Sequence, residues 1–283
     1  MASSQLHTRN HDRDAAGKRY VYPVISRRAG GVSVGINLNP NNACNWHCAY
    51  CQVPDLQRGV APEIDLVLLR SELLELLDDI LNGDFMLRRV SEDSRKLCDI
   101  AISGNGEPTS CSAFDAVVEV IIDVMSIYDL ALPLRLISNG SYVHRQHVQR
   151  GLKLMAEQHG EVWIKVDAVS DAAIRRMNGV SLDAARLCRQ VEAVAALCPT
   201  WIQTCLVAWD DQPPAEQEIQ DYIEFLKQLG SDGIAVRGVL LYGLARPSLQ
   251  DEAKHLKALD GDWMRAVAAK VEEATGLQVK LSL

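Results

Sequence analysis

Short apolar runs alternate with longer segments of helical periodicity along this 283-residue chain, and this alternation constrains its fold more than any other feature. The predicted strands are residues 33–40, 97–104, 132–138, 161–169, 201–209 and 233–243, with a short last strand at 278–283. The predicted helices are residues 64–81, 112–127, 142–158, 171–177, 181–197, 215–229 and 251–275. Such alternation produces βαβ units around a parallel sheet. The sequence therefore predicts an α/β fold, and its six units favour a partial (β/α)6 TIM-type barrel over an open doubly wound sheet.

The composition is typical of a globular protein and indicates where the chain resides. Residues 1–20 are polar with mixed charges, so they are predicted to be a disordered lead-in rather than a secretion signal, followed by a single domain over residues 21–283. No apolar run approaches the roughly 20 residues of a membrane span, and we expect a cytoplasmic protein whose thiols stay reduced. The net charge of -8 weighs against long nucleic acid as a partner, and Lys18, Arg27 and Arg28 are interpreted as a solvated edge.

Three of the eight cysteines, Cys44, Cys48 and Cys51, follow the first predicted strand at the spacing C-x3-C-x2-C. Thiolate clusters bind zinc or iron–sulfur clusters. A structural zinc site needs four protein ligands, and His47 could supply the fourth. Three thiolates on a four-iron cluster would instead leave one iron open to another ligand. The dispersed cysteines form no second C-x2-C group, which predicts a single cluster; they are Cys98, Cys111, Cys188, Cys198 and Cys205. Most of them sit in apolar strand or helix patterns, and core packing is favoured for Cys198 and Cys205.

Polar stretches follow the next predicted strands, where parallel α/β folds place their chemistry. The second strand ends in GNGEP (104–108), the third in SNG (138–140), and the fourth carries Lys165 and Asp167. Glycines allow the backbone to approach a ligand closely. A charged pair inside a barrel mouth is costly unless it is paired or functional. These stretches and the cysteines are therefore predicted to meet at one site.

The cysteine spacing, with Tyr50 before the last cysteine, resembles the signature of the radical S-adenosylmethionine (SAM) superfamily. The resemblance implies a partial (β/α)6 barrel in which Cys44, Cys48 and Cys51 hold one [4Fe-4S] cluster and SAM chelates its fourth iron. It also implies reductive cleavage of SAM to a 5′-deoxyadenosyl radical that abstracts hydrogen from a substrate. A reductant such as flavodoxin or ferredoxin is then the expected partner.

Three further stretches are similar to motifs of that family. GNGEP resembles the GGE motif that receives the SAM amino group, SNG resembles a Ser/Thr-Asn-Gly that reaches SAM, and IKVDA resembles a K-x-D pattern on the fourth strand. The resemblance implies these cofactor-binding residues: Gly104, Asn105, Gly106, Glu107, Ser138, Asn139, Lys165 and Asp167. Trp46 and Tyr50 are interpreted as packing around the cluster. Further pocket candidates are Gln203, Arg237, Tyr242 and Arg246.

The substrate stays open at this stage. LYGLARP (241–247) is similar to a segment of radical SAM proteins related to the wyosine-tRNA synthases, which indicates a tRNA- or nucleotide-modifying enzyme. A glycyl-radical activase and an enzyme acting on a small molecule or peptide are the alternatives. Outside enzymes, the chain would be an iron–sulfur redox protein or a zinc-stabilised binding protein.

Overall fold

The computed structural model describes Leu6, residues 17–26 and residues 30–283. Most of the predicted lead-in, together with Arg27 and Arg28, lies outside the described residues. Within the lead-in, Tyr20 is buried. The backbone N–H groups of Arg19, Tyr20 and Val21 donate to the carboxylate of Glu72. This buried carboxylate therefore joins the start of the described chain to the first long helix.

The strands of the described chain are β1 Val21–Ser26, β2 Gly31–Ile36, β3 Ala43–Cys44, β4 Gln57–Arg58, β5 Leu97–Ile102, β6 Leu134–Ser138, β7 Glu161–Lys165, β8 Thr200–Leu206, β9 Ala208–Trp209, β10 Val239–Gly243, β11 Leu256–Lys257 and β12 Val279–Ser282. Its α-helices are α1 Leu66–Leu81, α2 Phe85–Arg89, α3 Phe114–Ile127, α4 Gln146–Glu157, α5 Asp171–Asn178, α6 Ala184–Ala195, α7 Glu216–Ser231 and α8 Gly261–Thr275. No helix among the described residues is long and apolar enough to cross a membrane.

Eight strands form the main sheet, in the order β1-β2-β5-β6-β7-β8-β10-β12 within the described chain. Neighbours from β2 to β12 are parallel, and only β1 pairs antiparallel, with β2. The strand order follows the chain without the reversal of a doubly wound sheet. The sheet curls into a half-barrel, which confirms the predicted partial barrel of six βα units, with β12 as the predicted last strand.

Alternation along the strands separates a helix-covered face from the concave interior of the half-barrel. In β6, Leu134 and Leu136 are buried beneath helices, whereas Arg135 and Ile137 face the interior cavity. This two-residue period follows from the pleat of a strand. The inward residues therefore decide what the barrel can bind.

Several predicted boundaries were wrong. Strand β1 was not predicted, the strand placed at 33–40 ends at Ile36, and the strand placed at 233–243 begins at Val239. The helix placed at 251–275 begins at Gly261, because Asp260 caps it by accepting from the N–H groups of Asp262 and Trp263. Before that cap, residues 251–257 form a 3-10 turn and strand β11, which pairs with β9.

Candidate cofactor site at the carboxyl edge of the sheet

A cavity of about 290 Å³ lies at the carboxyl edge of the parallel strands and extends along the concave face. Its lining contains every predicted site residue except Asp167, namely Cys44, Cys48, Cys51, Gly104, Asn105, Gly106, Glu107, Ser138, Asn139 and Lys165. Of the further pocket candidates, Tyr242 and Arg246 line it, whereas Gln203 and Arg237 do not. Trp46 and Tyr50 also line it. The fold therefore brings together the polar stretches that the strand order predicted to meet.

The loop that carries the cysteines is held by the carboxyl end of α5. The backbone N–H of His47 donates to Asn178 O at 3.0 Å, and that of Ala49 donates to Met177 O at 2.8 Å. The last carbonyls of a helix have no partner within the helix. The cysteine loop satisfies two of them, so α5 fixes the segment that follows strand β3, which itself contains Cys44.

All eight cysteines lie in the described part of the chain, and each is a thiol rather than half of a disulfide. Burial raises the pKa of both Cys44 and Cys48 to about 12. The backbone N–H of Trp46 donates to Cys44 Sγ at 3.4 Å, and Asn178 Nδ2 donates to Cys48 Sγ at the same distance. Without a metal, both sulfurs are therefore protonated at neutral pH.

The three thiols fit an iron–sulfur cluster by their chemistry. Among the described residues, no three His, Cys, Asp or Glu side chains form a preassembled metal site. However, the sulfurs line one cavity from a single loop, and iron binding would displace their protons. The N–H donors at Cys44 and Cys48 also suit sulfurs that carry negative charge. Cys44, Cys48 and Cys51 are therefore the residues that could hold such a cluster.

Cys205 is buried in a core cluster, as predicted, and it also lines this cavity. It lies near the end of β8, and burial raises the pKa of its thiol. Cys198 precedes the start of the same strand and is buried in the core. The two cysteines are roughly 20 Å apart along an extended strand, so they cannot share a ligand.

The GNGEP loop packs directly on the cysteine loop. The N–H of Asn105 donates to Asn37 Oδ1 at 3.0 Å, and Asn39 Nδ2 donates to Ala43 O at 2.9 Å. A Cβ atom on Gly106 would lie 2.0 Å from Ala43 O. The glycine is therefore required by loop packing, before any ligand is considered. Asn37 and Asn39 were missed in the sequence, although they are buried polar residues just past the end of β2.

We expect Gly106→Ala to destabilise the protein by roughly 1–3 kcal/mol, the usual cost of overpacking, because the added methyl group meets backbone that cannot yield. Urea denaturation measures this change. Gly230→Ala is the matched control, since Gly230 lies in α7 with nothing within 4 Å of an added Cβ, and it should stabilise by about 0.5–1 kcal/mol. Equal stability of the two variants would contradict this account of Gly106.

Glu107 connects the GNGEP and SNG loops. Its Oε1 accepts from Thr109 N at 3.0 Å, Thr109 Oγ1 at 2.5 Å and Ser138 Oγ at 2.7 Å, and its Oε2 accepts from Asn139 N at 2.7 Å. Burial raises the pKa of this carboxyl, and the hydrogen bonds oppose the rise. Asn139 Nδ2 in turn donates to Asn45 Oδ1 at 2.9 Å. The side chains of Glu107 and Ser138 therefore form hydrogen bonds that join the two loops.

Lys165 points into the cavity and Asp167 lies behind it. The Lys165 ammonium donates to Tyr242 Oη at 3.3 Å, lies 4.8 Å from the Tyr50 ring centre and is 3.7 Å from Asp167 Oδ2. Burial opposes its charge, but the attraction of Asp167 prevails and raises the pKa of Lys165. Tyr50 Oη donates to Asp167 Oδ2 at 2.5 Å. Lys165 therefore presents a permanent positive charge to the site.

Two further groups escaped the sequence analysis. Ser248 Oγ donates to Ala49 O at 2.7 Å, and Gln250 Nε2 donates to Val53 O at 2.8 Å, so residues 248–250 cover the cysteine loop. No local pattern marks these two residues. Arg135 was detectable, since it is a charged residue on the inward face of a predicted strand.

Arg135 belongs to a polar layer on the concave face. It pairs with Asp99 and, at 2.7 Å, with Glu161, and both indoles of Trp163 and Trp201 donate to Glu161 at 3.0 Å. Asp99, Arg135 and Trp163 line the cavity. They therefore form a charged and aromatic wall of the cavity.

This fold is similar to those of several solved structures. The chain superposes on TYW1 with a lysine–pyruvate adduct bound, with a TM-score of 0.59 and 16% identity over 95% of this chain and 79% of that one. It also superposes on a radical SAM methyltransferase from Sphaerobacter thermophilus (TM-score 0.59, 11% identity, 89% and 66% covered). A third structure is Streptococcus suis SuiB bound to S-adenosylmethionine (TM-score 0.58, 10% identity, 90% and 50% covered). The chain has the radical SAM fold.

Sequence comparisons cover a smaller part of this chain than the superpositions do. No family model matches the chain. It is 27% identical over 135 residues to the GTPase Obg of Brachyspira hyodysenteriae, covering 48% of this chain and 17% of that protein. It is 27% identical over 156 residues to the UPF0026 protein MJ1312 of Methanocaldococcus jannaschii, covering 55% and 42%. The chain thus spans less than half the length of the curated relatives it matches.

Proposed function

We propose that this protein is a radical SAM enzyme with one [4Fe-4S] cluster. The observation that carries the proposal is that Cys44, Cys48 and Cys51 line the same cavity as the GNGEP and SNG loops, at the carboxyl edge of a radical SAM fold. When bound, the reduced cluster would supply one electron that splits SAM into methionine and a 5′-deoxyadenosyl radical. Held by Cys44, Cys48 and Cys51, the cluster would thereby supply the chemistry for abstracting a hydrogen atom from the substrate, with 5′-deoxyadenosine as the product. A flavodoxin or ferredoxin would supply the electron.

The residues of this chain would hold and orient the reactants. Gly104–Glu107 and Ser138–Asn139 would form the SAM side of the cavity, kept in place by the carboxylate of Glu107. Lys165 would attract a carboxylate, since its ammonium is buried beside Asp167 and faces the cavity. Tyr50 and residues 248–250 would exclude water from the cysteine loop. The layer around Arg135 would contact the substrate.

The first experiment is EPR spectroscopy of anaerobically reconstituted protein reduced with dithionite, with and without SAM. We expect a [4Fe-4S]⁺ signal that changes when SAM is added, and 5′-deoxyadenosine in the same tubes. Both follow from an iron that lacks a protein ligand. A colourless zinc protein, or a cluster that does not respond to SAM, would reject the enzyme assignment.

One observation favours a second candidate, an iron–sulfur electron carrier. Cys205 lines the cavity beside Cys48, and a fourth thiolate ligand would close the cluster to SAM. We expect Cys205→Ser to keep the cluster and its response to SAM, as measured by iron content and EPR. Loss of iron from this variant would instead support the carrier.

As the substrate, we propose tRNA, which would make the protein a tRNA-modifying enzyme of the wyosine type. Of the three solved structures described above, the superposition on TYW1 covers the largest share of this chain and of the other chain. The net charge of -8 opposes extensive contact with RNA, so a small molecule or peptide remains the competing class. Release of 5′-deoxyadenosine above the substrate-free rate when unmodified tRNA is added would support the first class, and an unchanged rate would reject it.

A further inference from the structure

We propose that Asn178 is a positioning residue for Cys48 and that its amide N–H raises the reduction potential of the cluster. The inference rests on the proposed function, since it needs a cluster on Cys48. It assigns a role to a residue outside the sequence motifs and outside the lining of the cavity.

The side chain of Asn178 lies between a cluster cysteine and a buried carboxylate. It is the last residue of α5 and only 1% exposed. Its Nδ2 atom donates to Cys48 Sγ at 3.4 Å and to Asp167 Oδ2 at 2.7 Å. The amide has two N–H groups, and each has its own acceptor. Both neighbours of Nδ2 accept hydrogen bonds, so the flipped amide would place its oxygen against a carboxylate.

Asp167 is itself held rigidly. Its Oδ1 accepts from the backbone N–H of Cys205 at 2.9 Å, and its Oδ2 accepts from Tyr50 Oη at 2.5 Å. Lys165 balances its charge from 3.7 Å. The carboxylate therefore fixes the direction in which Asn178 points its second N–H, which is toward Cys48.

The side chain of Asn178 is not what docks the cysteine loop. His47 N–H donates to the backbone carbonyl of Asn178, and Ala49 N–H donates to that of Met177. These contacts involve main-chain atoms only, so they survive replacement of the side chain. A substitution at 178 therefore separates the effect on the sulfur from the attachment of the loop.

An N–H donor at sulfur favours the reduced cluster, because reduction adds negative charge to the cluster and its sulfurs. The need for such a donor follows from the helix. The carboxyl end of α5 carries a partial negative charge, which by itself disfavours an added electron beside it. The Asn178 amide sets a positive dipole between that helix end and Cys48.

The test is a redox titration of the cluster in Asn178→Ala and Asn178→Leu in the absence of SAM, with the reduced cluster monitored by EPR. Leucine keeps the branched shape of asparagine, with two methyl groups in place of the amide oxygen and nitrogen, and removes the donor, so it guards against the cavity that the alanine variant leaves. We expect both variants to keep their iron. The equilibrium constant for one-electron reduction of their cluster should be about tenfold smaller than in the wild type, which is a midpoint potential about 59 mV more negative. Asn82→Ala is the control, since Asn82, the C-cap of α1, also donates to a carboxylate at the end of a helix but lies on the exposed surface.

An unchanged potential in both iron-loaded variants would overturn the inference and leave the proposed function intact. Loss of iron from both variants, with iron kept in Asn82→Ala, would also overturn it, because Asn178 would then be needed for assembly. A wild-type protein without a cluster would reject the proposed function itself.

Discussion

Serine in place of any one of Cys44, Cys48 and Cys51 is expected to abolish stable binding of the [4Fe-4S] cluster. Each thiolate would hold one iron, and no other cysteine of the same loop can replace it. Serine keeps the size of the side chain, so loss of iron would reflect the missing sulfur rather than a packing defect. Iron and sulfide analysis after anaerobic reconstitution, with the visible absorption spectrum, measures the effect.

Cys188→Ser is the matched control for these variants. Cys188 is partly buried on α6 and does not line the cavity. We expect this variant to bind as much iron as the wild type. Loss of iron from it would contradict the single cluster on the cysteine loop, and full iron binding by any of the three loop variants would remove that residue from the ligand set.

Glu107→Ala is expected to cause the largest loss of stability among substitutions at this site, on the order of 4 kcal/mol. Four donors from Thr109, Ser138 and Asn139 lose their acceptor, and each buried donor left without a partner costs about 1–3 kcal/mol unless water replaces the carboxylate. The SNG loop would also lose its attachment to GNGEP. Urea denaturation measures the free energy of unfolding, and SAM binding should weaken in the same variant.

Two variants define how this result is interpreted. Glu119→Ala, on the exposed face of α3, should change the free energy of unfolding by no more than about 0.5 kcal/mol. Glu107→Gln keeps an acceptor oxygen but sets an amide N–H against one of the donors. Its loss of unfolding free energy should therefore lie between the losses of Glu107→Ala and Glu119→Ala. If Glu107→Ala is as stable as the Glu119 variant, the carboxylate does not hold the loops together.

The six βα units were predictable because their signal is local. Val32, Val34 and Ile36 in β2, and Leu69, Leu73 and Leu76 in α1, repeat with the periods of a strand and a helix. The antiparallel strand β1 was missed although its Val, Ile and Tyr residues are a local strand signal, and its Pro23 is tolerated because β1 lies at the edge of the sheet. The helix predicted at 251–275 was too long because periodicity continues through residues that pair with β9 instead.

The order of motifs along the chain was enough to predict that the cysteines, GNGEP and SNG meet at one edge of the sheet, since parallel strands all end there. Only the tertiary structure decided how each residue is used. Glu107 binds loops, Asp167 lies behind Lys165, Cys205 faces the cavity and Asn178 reaches Cys48. These contacts join positions up to 130 residues apart, so no local spacing or periodicity encodes them.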